Sequence, residues 1–164
     1  MERYPSKLFV ESGLNMRVLG IDYGTKRVGL ALSDGLGLLA YPYATLERTT
    51  RERLFAELLT IVAKEDVRTI VLGLPKSLNG EETETTRQVR NFAQSLRRRT
   101  DLPVVFQDEA FSSQEAERQL RAGGRRGRKV TSVLDQQAAV VILSDYLERT
   151  RPESFGKPEN CKPD

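Results

Sequence analysis

Two short runs near the start of the chain, RVLGID from Arg17 to Asp22 and VGLALS from Val28 to Ser33, constrain the fold most. Both are apolar and rich in Val and Leu, and only Tyr-Gly-Thr-Lys-Arg separates them, so they read as a β-hairpin. Asp34-Gly35 and Gly37 provide the next turn, and a third strand is expected over Leu38 to Thr45. The chain therefore begins with an antiparallel ribbon. A fourth run, TIVLGL from Thr69 to Leu74, is apolar at almost every position, as expected for a strand covered on both faces, and Pro75 ends it. The fifth, Val104 to Gln107, runs directly into Asp108 and Glu109.

Helical periodicity fills the gaps. Thr49-Thr50-Arg51-Glu52 reads as a capping box, followed by Leu54, Leu58, Ile61 and Val62 at helical spacing up to about Glu65. A second helix is expected from about Thr83 to Arg99, with Val89, Phe92, Ala93 and Leu96 on one stripe and arginines outside. Ser112-Ser113-Gln114-Glu115 caps a third helix ending at Gly123-Gly124, and RRGRKVT reads as a mobile loop. A last helix from about Ser132 to Glu148 turns Ala138, Ala139, Ile142, Leu143 and Tyr146 inward. The order βββαβαβαα implies one α/β domain, residues 16–150, with a mixed five-stranded sheet and helices on both faces, an arrangement typical of the ribonuclease-H-like fold. Residues 1–15 and the Pro-rich residues 151–164 read as disordered extensions, and Met16, directly before the first strand, is a second candidate start.

Composition narrows the chemistry. With 38% apolar and 30% charged residues the chain suits a soluble globular protein. At 164 residues it can bury about 68–70% of its unfolded surface without a metal or disulfide staple. Cys161 is the sole cysteine and lies in the polar tail, which excludes an intramolecular disulfide and a cysteine metal site and fits a reducing cytoplasm. No stretch has the length of a membrane span or the pattern of a secretory signal. A net charge of +3 and a pI near 9.1 permit a polyanionic partner without requiring one.

In open α/β sheets the functional crevice lies at the carboxyl ends of the parallel strands. That rule singles out Asp22 after strand one, Asp108 and Glu109 after strand five, and Asp135, expected in the first turn of the last helix. If that helix packs beside strand one, three carboxylates converge. Crowded carboxylates repel unless a divalent cation sits between them, and Mg²⁺ and Mn²⁺ prefer such oxygen ligands. Paired cations of this kind drive phosphodiester displacement, and in a chain without histidine the activation of water falls to them. Each acid also has a plainer reading: Asp22 as an acceptor in the hairpin turn, Asp108 and Glu109 as a solvated strand end, Asp135 as the partner of Ser132 in a helix cap. Of the adjacent pair only one faces the site, because strand residues alternate.

The stretches DYGTKRVGLALSD, VLGLPKSLNG, DEAFSSQEA and VLDQQAAVVIL resemble the YqgF, or RuvX, family of bacterial Holliday-junction-resolvase-like proteins, from about Met16 to Thr150. The resemblance implies a ribonuclease-H-like fold, a metal-dependent nuclease that matures the 5′ end of 16S rRNA, and Asp22, Glu109 and Asp135 as the acidic triad. One departure stands out. The family usually reads Asp-Glu-Arg where this chain has Asp108-Glu109-Ala110, which removes a cation expected to touch phosphate or orient the neighbouring acid.

Cations flank these acids. Residues 118–129, RQLRAGGRRGRK, carry Arg118, Arg121, Arg125, Arg126, Arg128 and Lys129 and no acid, and their glycines suit a loop that wraps a nucleic-acid backbone without reading bases. Lys26, Arg27 and Lys76 add to this set, whereas Arg97-Arg98-Arg99 reads as a complement to its helix's C-terminal dipole. Tyr23 and Phe111 are candidates to stack on an unpaired base, with Phe111 the better fit to the core. The leading expectation is a cytoplasmic Mg²⁺- or Mn²⁺-dependent nuclease acting on precursor rRNA, as a monomer or homodimer. The alternatives are a resolvase of branched DNA, a non-catalytic nucleic-acid-binding module and, last, an actin-like ATPase, for which one domain is too short.

Overall fold

The computed structural model describes residues 15–75, 81–109 and 128–151. Five strands, β1 (Val18–Tyr23), β2 (Arg27–Ser33), β3 (Ala40–Glu47), β4 (Thr69–Pro75) and β5 (Val104–Glu109), form one sheet in the order β3-β2-β1-β4-β5. β1, β2 and β3 pair antiparallel, whereas β4 pairs parallel with both β1 and β5. This is the expected mixed sheet. β3 starts two residues later than its apolar pattern suggested, because Leu38 and Leu39 donate their N–H groups to the Asp34 carboxylate at 2.7 and 3.2 Å. Pro42 sits in β3 without cost because β3 lies at the sheet edge, where no further ladder needs its missing N–H.

Helices α1 (Arg51–Lys64) and α2 (Glu84–Arg97) cover one face, and α3 (Arg128–Thr150) covers the other. The cap of α1 is Thr50, whose hydroxyl accepts from the N–H of Arg53 at 3.2 Å. The expected Thr49 to Glu52 box is thus displaced by one residue. α2 carries a reciprocal capping box between Thr83 and Thr86, and the Thr86 hydroxyl also donates to the Pro75 carbonyl at 2.6 Å, tying the helix to the end of β4. All four residues assigned to its inner stripe, Val89, Phe92, Ala93 and Leu96, are buried. On the other face Ala139, Ile142, Leu143 and Leu147 bury against Val18, Ala31 and Val71.

α3 begins at Arg128, four residues before the expected Ser132, so the end of the segment assigned to a loop is helical. The capping role for Ser132 and Asp135 falls with it, since both now lie inside the helix. The third helix expected after Ser112, the basic residues Arg118, Arg121, Arg125 and Arg126, and Lys76, Ala110 and Phe111 lie outside the described residues, as do the two terminal extensions apart from Asn15 and Arg151. Among the described residues no helix is long and apolar enough to cross a membrane.

Candidate active site

Alternation along β1 decides where Asp22 points. Leu19 and Ile21 bury in the core beneath α1 and α2, so Gly20 and Asp22 face α3. A Cβ added at Gly20 would lie 2.8 Å from the Leu143 Cβ, which confirms that α3 presses on this face. In β5, Val105 joins the α3-side core and Gln107 accepts a hydrogen bond from Arg149 Nε at 3.1 Å. Glu109, two residues further, therefore turns to α3, where it is only 8% exposed, while Asp108 is exposed on the opposite side. The sequence left this adjacent pair open, and the pleat selects Glu109.

Glycines shape the ground between the acids. Asp22 pairs in register with Gly29 of β2, and the last rung of the β1–β4 ladder, Ile21 with Leu72, leaves Gly73 as the next residue beside Asp22. A Cβ at Gly73 would come within 3.1 Å of Glu109 Oε2 and collide with the Ile142 side chain. Glu109 thus reaches over the strand that separates it from β1. On the other side a Cβ at Gly29 would collide with the Asp135 carbonyl, so α3 lies almost on the sheet at that point. The three acids border one row, Gly29, Asp22, Gly73, from which every side chain but the carboxylate of Asp22 has been removed.

Asp135 is held rather than loose. Its Oδ2 accepts from Arg27 Nε at 2.9 Å, with both side chains mostly shielded from solvent. One helical turn away, Thr45 donates to the Ser132 carbonyl at 3.0 Å and accepts from the Ser132 hydroxyl and from Gln136 Nε2 at 3.0 and 3.1 Å. This cluster pins α3 to β3 on either side of Asp135. Among the described residues no group of three His, Cys, Asp or Glu side chains is close enough to hold a metal ion. The donor set nonetheless fits a hard divalent cation in kind: carboxylates alone, bordering one row of glycines on one face of the sheet.

The cations divide. Lys26 is exposed in the β1–β2 turn, whereas Arg27 is committed to Asp135. Tyr23 is not offered to a base, because its ring stacks on Phe92 with centroids 4.3 Å apart and the Arg48 guanidinium lies 4.3 Å above it. Arg48 escaped the sequence reading altogether. It donates to the Gly24 and Thr25 carbonyls at 2.9 and 3.0 Å, and its own N–H donates to Lys26 O, so it braces the turn that follows Asp22. Nothing in the local pattern around Arg48 signals that contact.

The chain matches the sequence model of the family described as RuvX, Holliday junction resolvase, over residues 16–149. The chain belongs to the RuvX family. Among its curated relatives, a protein of Maridesulfovibrio salexigens named "Putative pre-16S rRNA nuclease" is 56% identical over 134 residues, covering 82% of this chain and 99% of its own length. A relative of the same name from Nitratidesulfovibrio vulgaris is 52% identical over 143 residues, 87% of this chain and 99% of its own. Among solved structures, the Fowlpox virus resolvase in complex with Holliday junction DNA superposes with a TM-score of 0.54 at 12% identity, covering 84% of this chain and all of that one. That likeness extends the ribonuclease-H-like fold to a distant protein and carries no more than the fold.

Proposed function

We propose that this RuvX-family chain is a divalent-metal-dependent nuclease that processes precursor 16S rRNA. The observation that carries the reading is the meeting of Asp22 and Glu109 on one sheet face, at the carboxyl ends of β1 and β5 with only Gly73 between them. Its substrate follows the names of relatives that share more than half of their residues with it. Asp22 and Glu109 would hold Mg²⁺ or Mn²⁺ from the sheet and Asp135 from the helix. Bound there, such a cation polarises a water and stabilises the leaving oxygen of a phosphodiester.

The protein's own groups do the rest. Arg27 orients the Asp135 carboxylate and neutralises part of the acid repulsion. The Thr45, Ser132 and Gln136 cluster fixes the helix that carries Asp135. Lys26, exposed in the turn beside Asp22, would meet a phosphate, and Lys76, Arg118, Arg121, Arg125, Arg126, Arg128 and Lys129 would supply further backbone contacts. The test is cleavage of end-labelled precursor 16S rRNA with Mn²⁺ by the purified protein and by Asp22→Asn. Loss of at least about a hundredfold in rate is expected for a lost metal-ligand contact, and equal rates would refute the assignment.

The family description favours a second substrate, the four-way DNA junction. Symmetric cutting of a junction takes two active sites, so this reading expects a dimer by light scattering and paired nicks in a labelled junction. Cleavage of the rRNA precursor by a monomer would exclude it.

A further inference from the structure

Six arginines on and beside α1 and α2 fall into two groups, while Arg97 of α2 turns to β5, donating to the Val104 carbonyl at 2.7 Å. Arg53, Arg87 and Arg90 are paired with Glu57, Glu84 and Glu82 at 3.3, 3.8 and 2.6 Å, and so form an ordinary solvated charge pattern. Arg48, Arg51 and Arg99 differ. Among the described residues their partners are all neutral. Arg48 holds the Gly24 and Thr25 carbonyls, Arg51 Nη2 donates to the Ser95 hydroxyl at 2.8 Å, and Arg99 Nη1 donates to the Ser95 carbonyl at 2.8 Å. The guanidiniums of Arg48 and Arg99 also lie 4.3 and 4.2 Å over the rings of Tyr23 and Phe55.

These three cations are linked by the packing beneath them. Tyr23 stacks on Phe92, and Phe92 stacks on Phe55 with centroids 5.2 Å apart and planes 10° from parallel. A column of three rings therefore runs under the surface with a guanidinium at each end, and Arg51 shares Ser95 with the far one. Arg51 and Arg99 meet at Ser95, where two like charges gain nothing from each other, and Arg48 stands at the opposite end of the column. Ring faces and carbonyls fix their positions while leaving the charge uncompensated, which is the condition under which a polyanion binds with little ordering cost.

We propose that Arg48, Arg51 and Arg99 form a second nucleic-acid-backbone site, which takes phosphodiester groups of the substrate strand away from the cleavage point. Tyr23 follows Asp22 directly and points to the opposite face, so a strand leaving the acidic edge at the β1–β2 turn meets Arg48 first. Planar guanidiniums match phosphate oxygens in pairs, and nothing in the set reads a base, so the site contributes affinity and direction rather than sequence preference. This inference rests on the nuclease reading for its substrate class.

The test uses fluorescence anisotropy in EDTA, with a labelled single-stranded RNA and a labelled four-way DNA junction as probes, across a KCl series. Replacing two phosphate contacts in Arg51→Gln/Arg99→Gln should lower the slope of log K against log salt by about 1.4 on the single strand. The paired-arginine control, Arg53→Gln/Arg87→Gln, should keep the parental slope, and melting curves verify that both variants are folded. A reduced slope on RNA alone or on the junction alone supports the site and names its source. An Arg51→Gln/Arg99→Gln slope equal to the parental one on both probes overturns it, as does an equal drop in the control. Because cleavage is off in EDTA, failure of the Asp22→Asn test leaves this result standing, and an unchanged slope leaves the nuclease reading intact.

Discussion

The two faces of the sheet are built on opposite plans. Beneath α1 and α2 the sheet offers Leu19, Ile21, Ile70 and Leu72 to large partners such as Phe55, Leu58, Phe92 and Leu96. Beneath α3 it offers smaller residues, with Gly20, Gly29, Ala31 and Gly73 set among Val18 and Val71, and the helix lies so near that Cβ atoms added at Gly20, Gly29 or Gly73 would strike it. Large interdigitating side chains bury the most apolar area, at about 25 cal/mol per Å², so the first face dominates stability. The glycine face sacrifices that area for a fixed distance. What it gains is register: Asp135 is set over the rung Asp22–Gly29 by backbone contact, which a rotamer change cannot relax.

The sharpest way to test this division is to damage each face separately. Phe92→Ala removes the middle ring of the Tyr23–Phe92–Phe55 column and should cost about 3–5 kcal/mol by denaturant unfolding. The cleavage rate of the fraction that remains folded should change far less than this implies. Should that rate collapse while stability holds, the first face would be the catalytic one and the comparison would be inverted.

Gly29→Ala is the complementary experiment. The added methyl meets the Asp135 carbonyl, a backbone atom, so α3 must move, and overpacking of this kind costs about 1–3 kcal/mol. Its expected signature is a cleavage rate that falls even where the variant is fully folded. A variant with parental activity would show that α3 can shift without consequence for Asp135.

The smallest expected effect lies away from both cores. The Tyr43 hydroxyl donates to Glu65 Oε1 at 2.9 Å, and burial, with help from that carboxylate, pushes the phenol above its usual value. The neutral form is the one favoured in the fold. Its contribution to stability is therefore complete below the unfolded phenol's value of about 10 and fades as pH rises through the raised folded value. Melting temperatures from pH 8 upward should fall more gently for Tyr43→Phe than for the parent, and parallel curves would remove Tyr43 from the alkaline transition.

Local pattern made much of this architecture readable. Apolar runs announced the strands, and the inner stripe of α2 was correct at every position assigned to it. The same alternation that marks a strand also left one choice between Asp108 and Glu109, which only a known neighbour such as Val105 could decide. The glycines were a signal of another kind: an isolated glycine within a strand marks a close backbone approach, but it does not name the element that approaches. Arg48 and the Thr45–Ser132–Gln136 cluster gave no signal, because their partners lie 24 and 87 or more residues away. The start of α3 at Arg128 was masked by glycine and arginine composition that reads as a loop.

The order in which the candidate site's parts leave the ribosome follows from α3 being the last of the described elements. Asp22 emerges first, Glu109 after both parallel crossovers, and Asp135 on the closing helix, whose buried anchors extend to Leu147. A growing chain can complete most of its sheet and its large-residue core while the glycine face remains uncovered. Synthesis at about 5–20 residues per second leaves that interval open for seconds. On the proposed nuclease reading the third acid is thereby withheld until the sheet exists to receive it, so an incomplete chain would carry only part of the proposed metal site.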